Sequence, residues 1–421
     1  MSKLQELINK LCPNGVEFKP LGEVFEMRNG YTPSKNNPDF WEGGTIPWFR
    51  MDDIRENGRI LSDSIQHITP SAIKGKGLFE ANSFILATTA TIGEHALIIA
   101  DSLANQQFTN LKVRKSLSNL LVTKFIYYYM FIVDDFCKRN TNVSGFASVD
   151  MDKLKKMPFP VPPIEVQEEI VRILDSFSDY AAELQAELQA RKQQYEYYRN
   201  LLLTFNPSAY GCGTDDEQKD GVTTWGGHNY KIEWKKLGEI GNICMCKRIL
   251  KHQTNTKSGI PFYKIGTFGK VADSYISEDL FMEYKKKYSF PQKGEILISA
   301  SGTIGRAVIY DGEDAYFQDS NIVWINNDES MVLNKYLYYF YQIVDWNVEG
   351  GTIKRLYNTN LSNTPIPIPP LELQEKIVAI LDRFETLVND LTNGLPAEIA
   401  AVKDQYEYYR NKLLTFKKLS A

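Results

Sequence analysis

The tract Pro163-Ile-Glu-Val-Gln-Glu-Glu-Ile-Val-Arg-Ile-Leu-Asp175 returns near the end of the chain as Pro370-Leu-Glu-Leu-Gln-Glu-Lys-Ile-Val-Ala-Ile-Leu-Asp382. Each copy runs on to an identical closing run, Gln194-Tyr-Glu-Tyr-Tyr-Arg-Asn200 and Gln405-Tyr-Glu-Tyr-Tyr-Arg-Asn411. A period of about 210 residues is too long for a solenoid repeat and long enough for a domain. The chain therefore reads as a tandem duplication.

Both tracts begin with alternating prolines: Pro158, Pro160, Pro162 and Pro163, then Pro365, Pro367, Pro369 and Pro370. Such a run imposes an extended segment and then a helix start, where proline is tolerated. The apolar series that follows in the first tract is Ile170, Leu174, Phe177, Ala181, Leu184, Leu188, Tyr195, Tyr198 and Leu202, with Arg191 as its polar member. In the second it is Ile377, Leu381, Phe384, Val388, Leu391, Leu395, Ile399, Val402, Tyr406, Tyr409 and Leu413. Gaps alternating between four and three define a coiled-coil seam. A helix from about Glu165 to Phe205 would be roughly 60 Å long, and the two seams are expected to pair with each other. The second tract is four residues longer between Phe384 and Tyr406, and its Asn393-Gly394-Leu395-Pro396 should break or kink the helix.

Ahead of each helix lies a segment dense in aromatic and β-branched residues and in turn signals. Val16-Glu-Phe-Lys-Pro-Leu-Gly-Glu-Val24 matches Ile232-Glu-Trp-Lys-Lys-Leu-Gly-Glu-Ile240. Ile85-Leu86 through Thr91-Ile92-Gly93 matches Ile296-Leu297 through Thr303-Ile304-Gly305, and Gln107 and Asn110 match Gln318 and Asn321. Phe125–Tyr129 and Tyr336–Phe340 read as matching short helices. Short strands around glycine turns with a few helices predict an α+β fold. The expected organisation is two similar mixed α/β domains separated by two long antiparallel helices that form a coiled coil. Its boundaries are 1–160 for the first domain, 161–205 for the first helix, 206–230 for a Gly/Asp/Thr-rich linker, 231–364 for the second domain, and 365–421 for the second helix and tail.

A net charge of −4 argues at first against a nucleic-acid partner. The acid is concentrated, however, in residues 161–205, with 4 basic and 8 acidic side chains, whereas 1–160 carries 19 and 17 and 206–364 carries 18 and 19. A locally basic face is therefore open to either domain. No apolar run approaches a membrane span, and the first residues lack a signal-peptide core, so a reducing cytoplasm is expected. The five cysteines are scattered without zinc-site spacing.

Catalytic signatures are missing: there is no phosphate-binding G-x-x-x-x-G-K-[ST] loop and no G-x-S-x-G. Asn206-Pro-Ser-Ala-Tyr210 only faintly resembles an amino-methyltransferase motif, and no glycine-rich cofactor turn accompanies it. Ser301-Gly-Thr-Ile-Gly305 reads as a hairpin turn. The chemistry on offer suits nucleic acid instead. Lys74 and Lys76, Lys247 and Arg248, Lys285 and Lys286, and Lys354 and Arg355 are basic pairs for phosphates. The amides of Gln106, Gln107, Asn110, Gln318 and Asn321 can hydrogen-bond base edges. Arg28, Tyr31, Lys35, Arg50, Thr89, Lys264 and Ser301 join the candidate set by side-chain chemistry and position.

The duplication, the Pro-Pro-[IL]-x-x-Gln-x-x-Ile-Val-x-Ile-Leu-Asp tract and the tyrosine-rich closing run together resemble the specificity subunit of type I restriction–modification systems. Gly30-Tyr-Thr-Pro-Ser34, Phe40-Trp41 and Ile46-Pro47-Trp48 are typical of its first recognition domain. Ala-Glu-Leu at 182–184 and again at 186–188 is similar to the subgroup whose spacer helix varies in tetrapeptide copy number. The resemblance implies a non-catalytic subunit whose two recognition domains each read one half of a bipartite double-stranded DNA site. It also implies two methyltransferase subunits docked on helix residues such as Ile170, Leu174, Phe177, Leu184, Leu188, Tyr195, Tyr198, Ile377, Leu381, Phe384, Leu391, Tyr406 and Tyr409. A restriction and translocase subunit would join them, with S-adenosylmethionine, ATP and Mg2+ belonging to the partners and no cofactor or metal to this chain. The alternative is a specificity module of another methylation or phage-defence complex.

Overall fold

The computed structural model describes residues 2–142, 147–205, 222–225, 227–350, 354–390 and 393–419. Two compact units divide the chain: Met1–Glu183 with Ile399–Ala421, and Leu184–Glu398. Each unit therefore holds one globular segment and part of each helical tract.

The first unit opens with α1 (Lys3–Leu11), capped by the Ser2 hydroxyl. Strand β1 (Glu17–Pro20) pairs antiparallel with the proline-rich segment Pro158–Val161. A two-stranded ribbon leaves each strand an unpaired edge, which suits prolines that cannot donate to a ladder. The central sheet is built from β2 (Phe25–Asn29), β3 (Ile60–Leu61), β4 (Ser83–Ala87), β5 (His95–Ile98) and β6 (Phe108–Val113), in the order β2-β6-β4-β5-β3. Phe84 and Leu86 face a core shared with α2 (Thr123–Arg139), while Ile85 and Ala87 join a second core around Trp48, Phe49 and Phe108. With both faces covered, β4 is buried along its whole length and shows no polar alternation.

The second unit repeats this plan. Strands β7 (Ile243–Cys244), β8 (Ile296–Ser299), β9 (Ala307–Ile309) and β10 (Ile322–Ile325) form a sheet in the order β7-β10-β8-β9. Glu233–Lys236 pairs with Pro365–Ile368 as the second proline ribbon. The short helix predicted at 336–340 is present within Asn334–Tyr341. The described part of the expected linker is a hairpin, Val222–Trp225 against His228–Lys231. Asn206–Tyr210, Cys212 and Leu391 lie outside the described residues.

The first helical tract is one continuous helix, α3 (Ile164–Thr204). Ile170, Leu174, Leu184, Leu188, Tyr195 and Leu202 are buried along it, in the four-and-three rhythm of the sequence. The second tract is broken into Leu371–Asn389 and Leu395–Leu413. A Cβ at Gly394 would come within 2.5 Å of the Thr386 carbonyl oxygen, and Pro396 sits in the first turn of the later helix, where its missing N–H is harmless. In the first unit Phe177 stacks on Tyr409 with ring centroids 5.5 Å apart; in the second Phe384 stacks on Tyr198 at 5.9 Å. The start of one tract thus lies beside the end of the other in both units, which is antiparallel pairing. Because the matched stacking contacts recur, the four extra residues are absorbed in the turn between the helices and add no helical length.

The signature residues of the repeated tract fasten each helix to its globular segment. Gln167 donates to the carbonyls of Leu120 and Pro162 at 2.7 Å and accepts from Val122 N–H. Gln374 does the same with Met331, Pro369 and Leu333. Each such bond contributes about 1 kcal/mol, and leaving the buried partners unpaired would cost more. Asp175 accepts from the Tyr128 hydroxyl at 2.6 Å and from Lys124 at 2.7 Å. Asp382 likewise accepts from Tyr339 and pairs with Lys335 at 3.2 Å.

Candidate nucleic-acid interface

The strand registers fix which residues of the two units are equivalent. Ala87 accepts from Gly93 N–H and Ser299 from Gly305 N–H, so the turns they close correspond. Ala90 and Gly302 take the same left-handed conformation, with φ of 62° and 65°. Residues 300–306 connect antiparallel strands, as the hairpin reading expected. Thr88 N–H donates to the Gln107 carbonyl and Ala300 N–H to the Asn321 carbonyl, which makes Gln107 the equivalent of Asn321. Asn105 N–H and Gln318 N–H each extend the matched parallel pairing, donating to Phe49 and Tyr263. Two corrections follow. Ile85 is level with Leu297, one residue from the match read in the sequence, and Gln318 corresponds to Asn105.

Asn110 falls instead opposite Ile85 and is level with Trp324. It is buried, and its amide donates to the Ser83 hydroxyl at 2.8 Å and to the Phe84 carbonyl. It secures the inside of the sheet and has no open edge for a base.

In the first unit Arg28, Tyr31, Lys74 and Lys76 come together around one open cavity, and this edge of the unit forms a rim. The Tyr31 hydroxyl donates to the Ala72 carbonyl at 2.9 Å and accepts from Lys74 N–H at 2.8 Å. Thr32 donates to the Gln106 side-chain carbonyl at 2.5 Å, and Asn105 donates to Gln107. Arg50 lies over Trp48, whose indole N–H donates to the Tyr31 carbonyl. Lys35, Lys74 and Lys76 are exposed, and Thr89 is bridged to Ser148. Arg28 stacks over Phe79 at 4.6 Å and donates to the Leu78 carbonyl; burial pulls its pKa below the usual guanidinium range, opposed by Tyr31 and Glu80. Thr32 and Asn105, in loops, and Ser148, in a two-residue strand, escaped the sequence reading because single polar side chains in segments that short carry no periodic signal.

The second unit builds its rim from different side chains. Counting on from the pairing of Arg28 with Asn110 and of Cys244 with Trp324, Tyr31 and Thr32 are level with Lys247 and Arg248. Ser301 donates to the Asn321 side chain at 2.9 Å, and Arg355, bridged to Ser301, donates to the Ser320 carbonyl. Gln318 accepts from Ile265 N–H beside Lys264, which pairs with Asp273. Lys247 lies over Tyr288. Lys285 is held by Phe281, Phe290 and Asp314, so much of its charge is already answered; Lys286 and Lys354 are exposed. The nearby cavity, about 180 Å³, is lined by Tyr263, Phe268, Tyr310 and Phe317 and edged by Lys270, Asp311, Glu313 and Asp314, the last of them paired with Lys285.

Residues 13–191 and 230–401 each match the family described as the type I restriction modification DNA specificity domain. The chain is also 43% identical to a putative type I restriction enzyme specificity subunit, S.HindORF215P of Haemophilus influenzae, over 95% of this chain and 96% of that one. The chain belongs to the type I restriction–modification specificity family. Within that family it is 36% identical to the EcoprrI specificity subunit of Escherichia coli, covering 96% of this chain and 94% of the other. Its fold is shared with the HsdS subunit from Thermoanaerobacter tengcongensis, at a TM-score of 0.54 and 17% identity over 96% of this chain and 97% of that one. A chain from structural work on complex assembly and conformational transition of the type I R-M system superposes at 0.60 with 18% identity, covering 96% and 98%. The fold class expected from the duplication therefore stands. Among the described residues no helix is long and apolar enough to cross a membrane.

Proposed function

We propose that this specificity subunit reads a bipartite DNA site, one half with each unit. The observation that carries the reading is the pairing of an identical fastening with a different rim. Gln167 and Gln374, Asp175 and Asp382, and the Phe177 and Phe384 stacks repeat almost atom for atom. Level positions on the rims carry Thr32 against Arg248, Gln107 against Asn321 and Ser148 against Arg355. Base edges are distinguished by donor and acceptor pattern, so two such rims select different sequences.

In this reading the paired helices set the separation of the half-sites and dock two methyltransferase subunits, and a restriction and translocase subunit joins that assembly. S-adenosylmethionine, ATP and Mg2+ serve those partners, while this chain contributes recognition without a catalytic group or cofactor of its own and works in the cytoplasm. Exposed Tyr197 and Tyr408, 61% and 60% accessible at matched positions of the closing runs, suit docking of two equivalent partner copies. Co-expression with the methyltransferase subunit, followed by mapping of methylated adenines, tests the reading. The expected result is two short, unlike half-sites around a fixed stretch of unspecified bases. A single uninterrupted motif would overturn it.

A further inference from the structure

We propose that the Lys74–Gly77 loop of the first unit is a clamp for the DNA phosphate backbone, positioned by the Tyr31 hydroxyl. The proposal rests on the DNA-recognition reading and deepens it, by separating a residue set that supplies affinity from the set that supplies sequence. Lys74, Lys76 and Arg28 line one open cavity of about 300 Å³, floored by Phe79 and Leu103, and none of the described residues lining it is acidic. Three cations around this cavity match a polyanion; the carboxylate that acts on Arg28 from outside the lining, Glu80, is itself paired with Lys112. Lysine, a flexible point charge, serves a phosphate better than it serves a base edge.

The backbone is shaped for the same task. Gly75 and Gly77 alternate with the lysines in left-handed conformations, φ 60° and 78°, and a Cβ on either would meet nothing within 4 Å. Their role is thus conformational rather than a matter of packing. Left-handed residues between ordinary ones produce the concave amide arrangements that hold anions. The Tyr31 hydroxyl accepts from Lys74 N–H at 2.8 Å and donates to the Ala72 carbonyl, pinning the loop before a ligand arrives. Lys74 also passes over Phe40 at 5.9 Å, which restrains its side chain. In the second unit Lys247 stands at the level of Tyr31, so the hydroxyl that pins this loop is not repeated there. Gln106 and Gln107, with their amide groups, are left as base readers on the same rim.

The test is titration of the full chain with a mixed-sequence 30-base-pair duplex across a series of salt concentrations. Each phosphate contact contributes close to one unit of slope in log affinity against log salt, so Lys74→Ala/Lys76→Ala should lower the slope by about 2. Binding should weaken equally for every duplex, and the motif methylated in cells carrying the partner subunit should be unchanged. Tyr31→Phe keeps every charge and should weaken binding several-fold with little change in slope. An unaltered slope in the lysine double variant overturns the clamp, as does an altered methylation motif. An unaltered affinity in Tyr31→Phe overturns the positioning role. Failure of the parent chain itself to bind duplex in a salt-dependent way would instead strike at the DNA-recognition reading.

Discussion

His95 has no exposed surface; its Nδ1 lies 2.7 Å from Asp134 and 3.5 Å from Arg59, and among the described residues its Nε2 has no hydrogen-bond partner. The ring lies edge-on to Tyr127 and Phe131, with Arg59 and Arg410 as the nearby cations. Burial pulls its pKa below 6.5 and outweighs the opposing pull of Asp134. In the unfolded chain the ring takes a proton near pH 6.5. Below that pH the unfolded state binds more protons than the folded one, so stability falls as pH drops. Thermal unfolding of the full chain should therefore show a midpoint that declines from pH 7.5 to 5.5, and His95→Gln should flatten the decline. Equal slopes in the two proteins would remove His95 as the cause. At this scale the sequence was least legible. Asn110 looked like a base reader because a polar side chain beside a strand carries no mark of which way it faces. Its strand is buried at every position from Phe108 to Leu111, so no alternation reveals it. The turn before it is one residue shorter than its counterpart, Asn105 to Gln107 against Gln318 to Asn321, which moved the apparent match.

The helices were legible for the opposite reason. A seam repeating every three and four residues is written locally, and burial at Ile170, Leu174, Leu184 and Leu188 follows it directly. The break at Gly394 and Pro396 is also local chemistry, and it lies where those residues required it. What the period could not say is that the four extra residues between Phe384 and Tyr406 would enter a turn instead of a helix. The continuous helix therefore carries the measurement of length. Deleting Ala182-Glu183-Leu184-Gln185 removes about 6 Å of rise and a net turn of about 40°, against about 3.4 Å per base pair. The expected outcome, read from methylation maps, is a non-specific spacer shorter by one or two base pairs with both half-sites intact. A changed half-site beside an unchanged spacer would refute this.

Across the whole chain, each globular segment is gripped by residues drawn from both repeats. The first unit closes Phe177 of one tract on Tyr409 of the other, and Arg410 lies over Phe131; in the second, Tyr198 meets Phe384 and Arg199 bonds Gln342. The residues that make the fastening are matched between copies, and those on the rims are not. A socket of that kind is indifferent to what it holds. Replacing residues 17–162 with 233–369 would bring each incoming contact to a partner already suited to it, since Gln167 and Gln374, or Asp175 and Asp382, ask for the same neighbours. Such a chimera should fold and, with its methyltransferase, mark a site that spells one half-site twice. New specificities then need no redesign of the protein: recombination within the near-identical tracts can exchange one reading head for another and leave the assembly that carries it untouched.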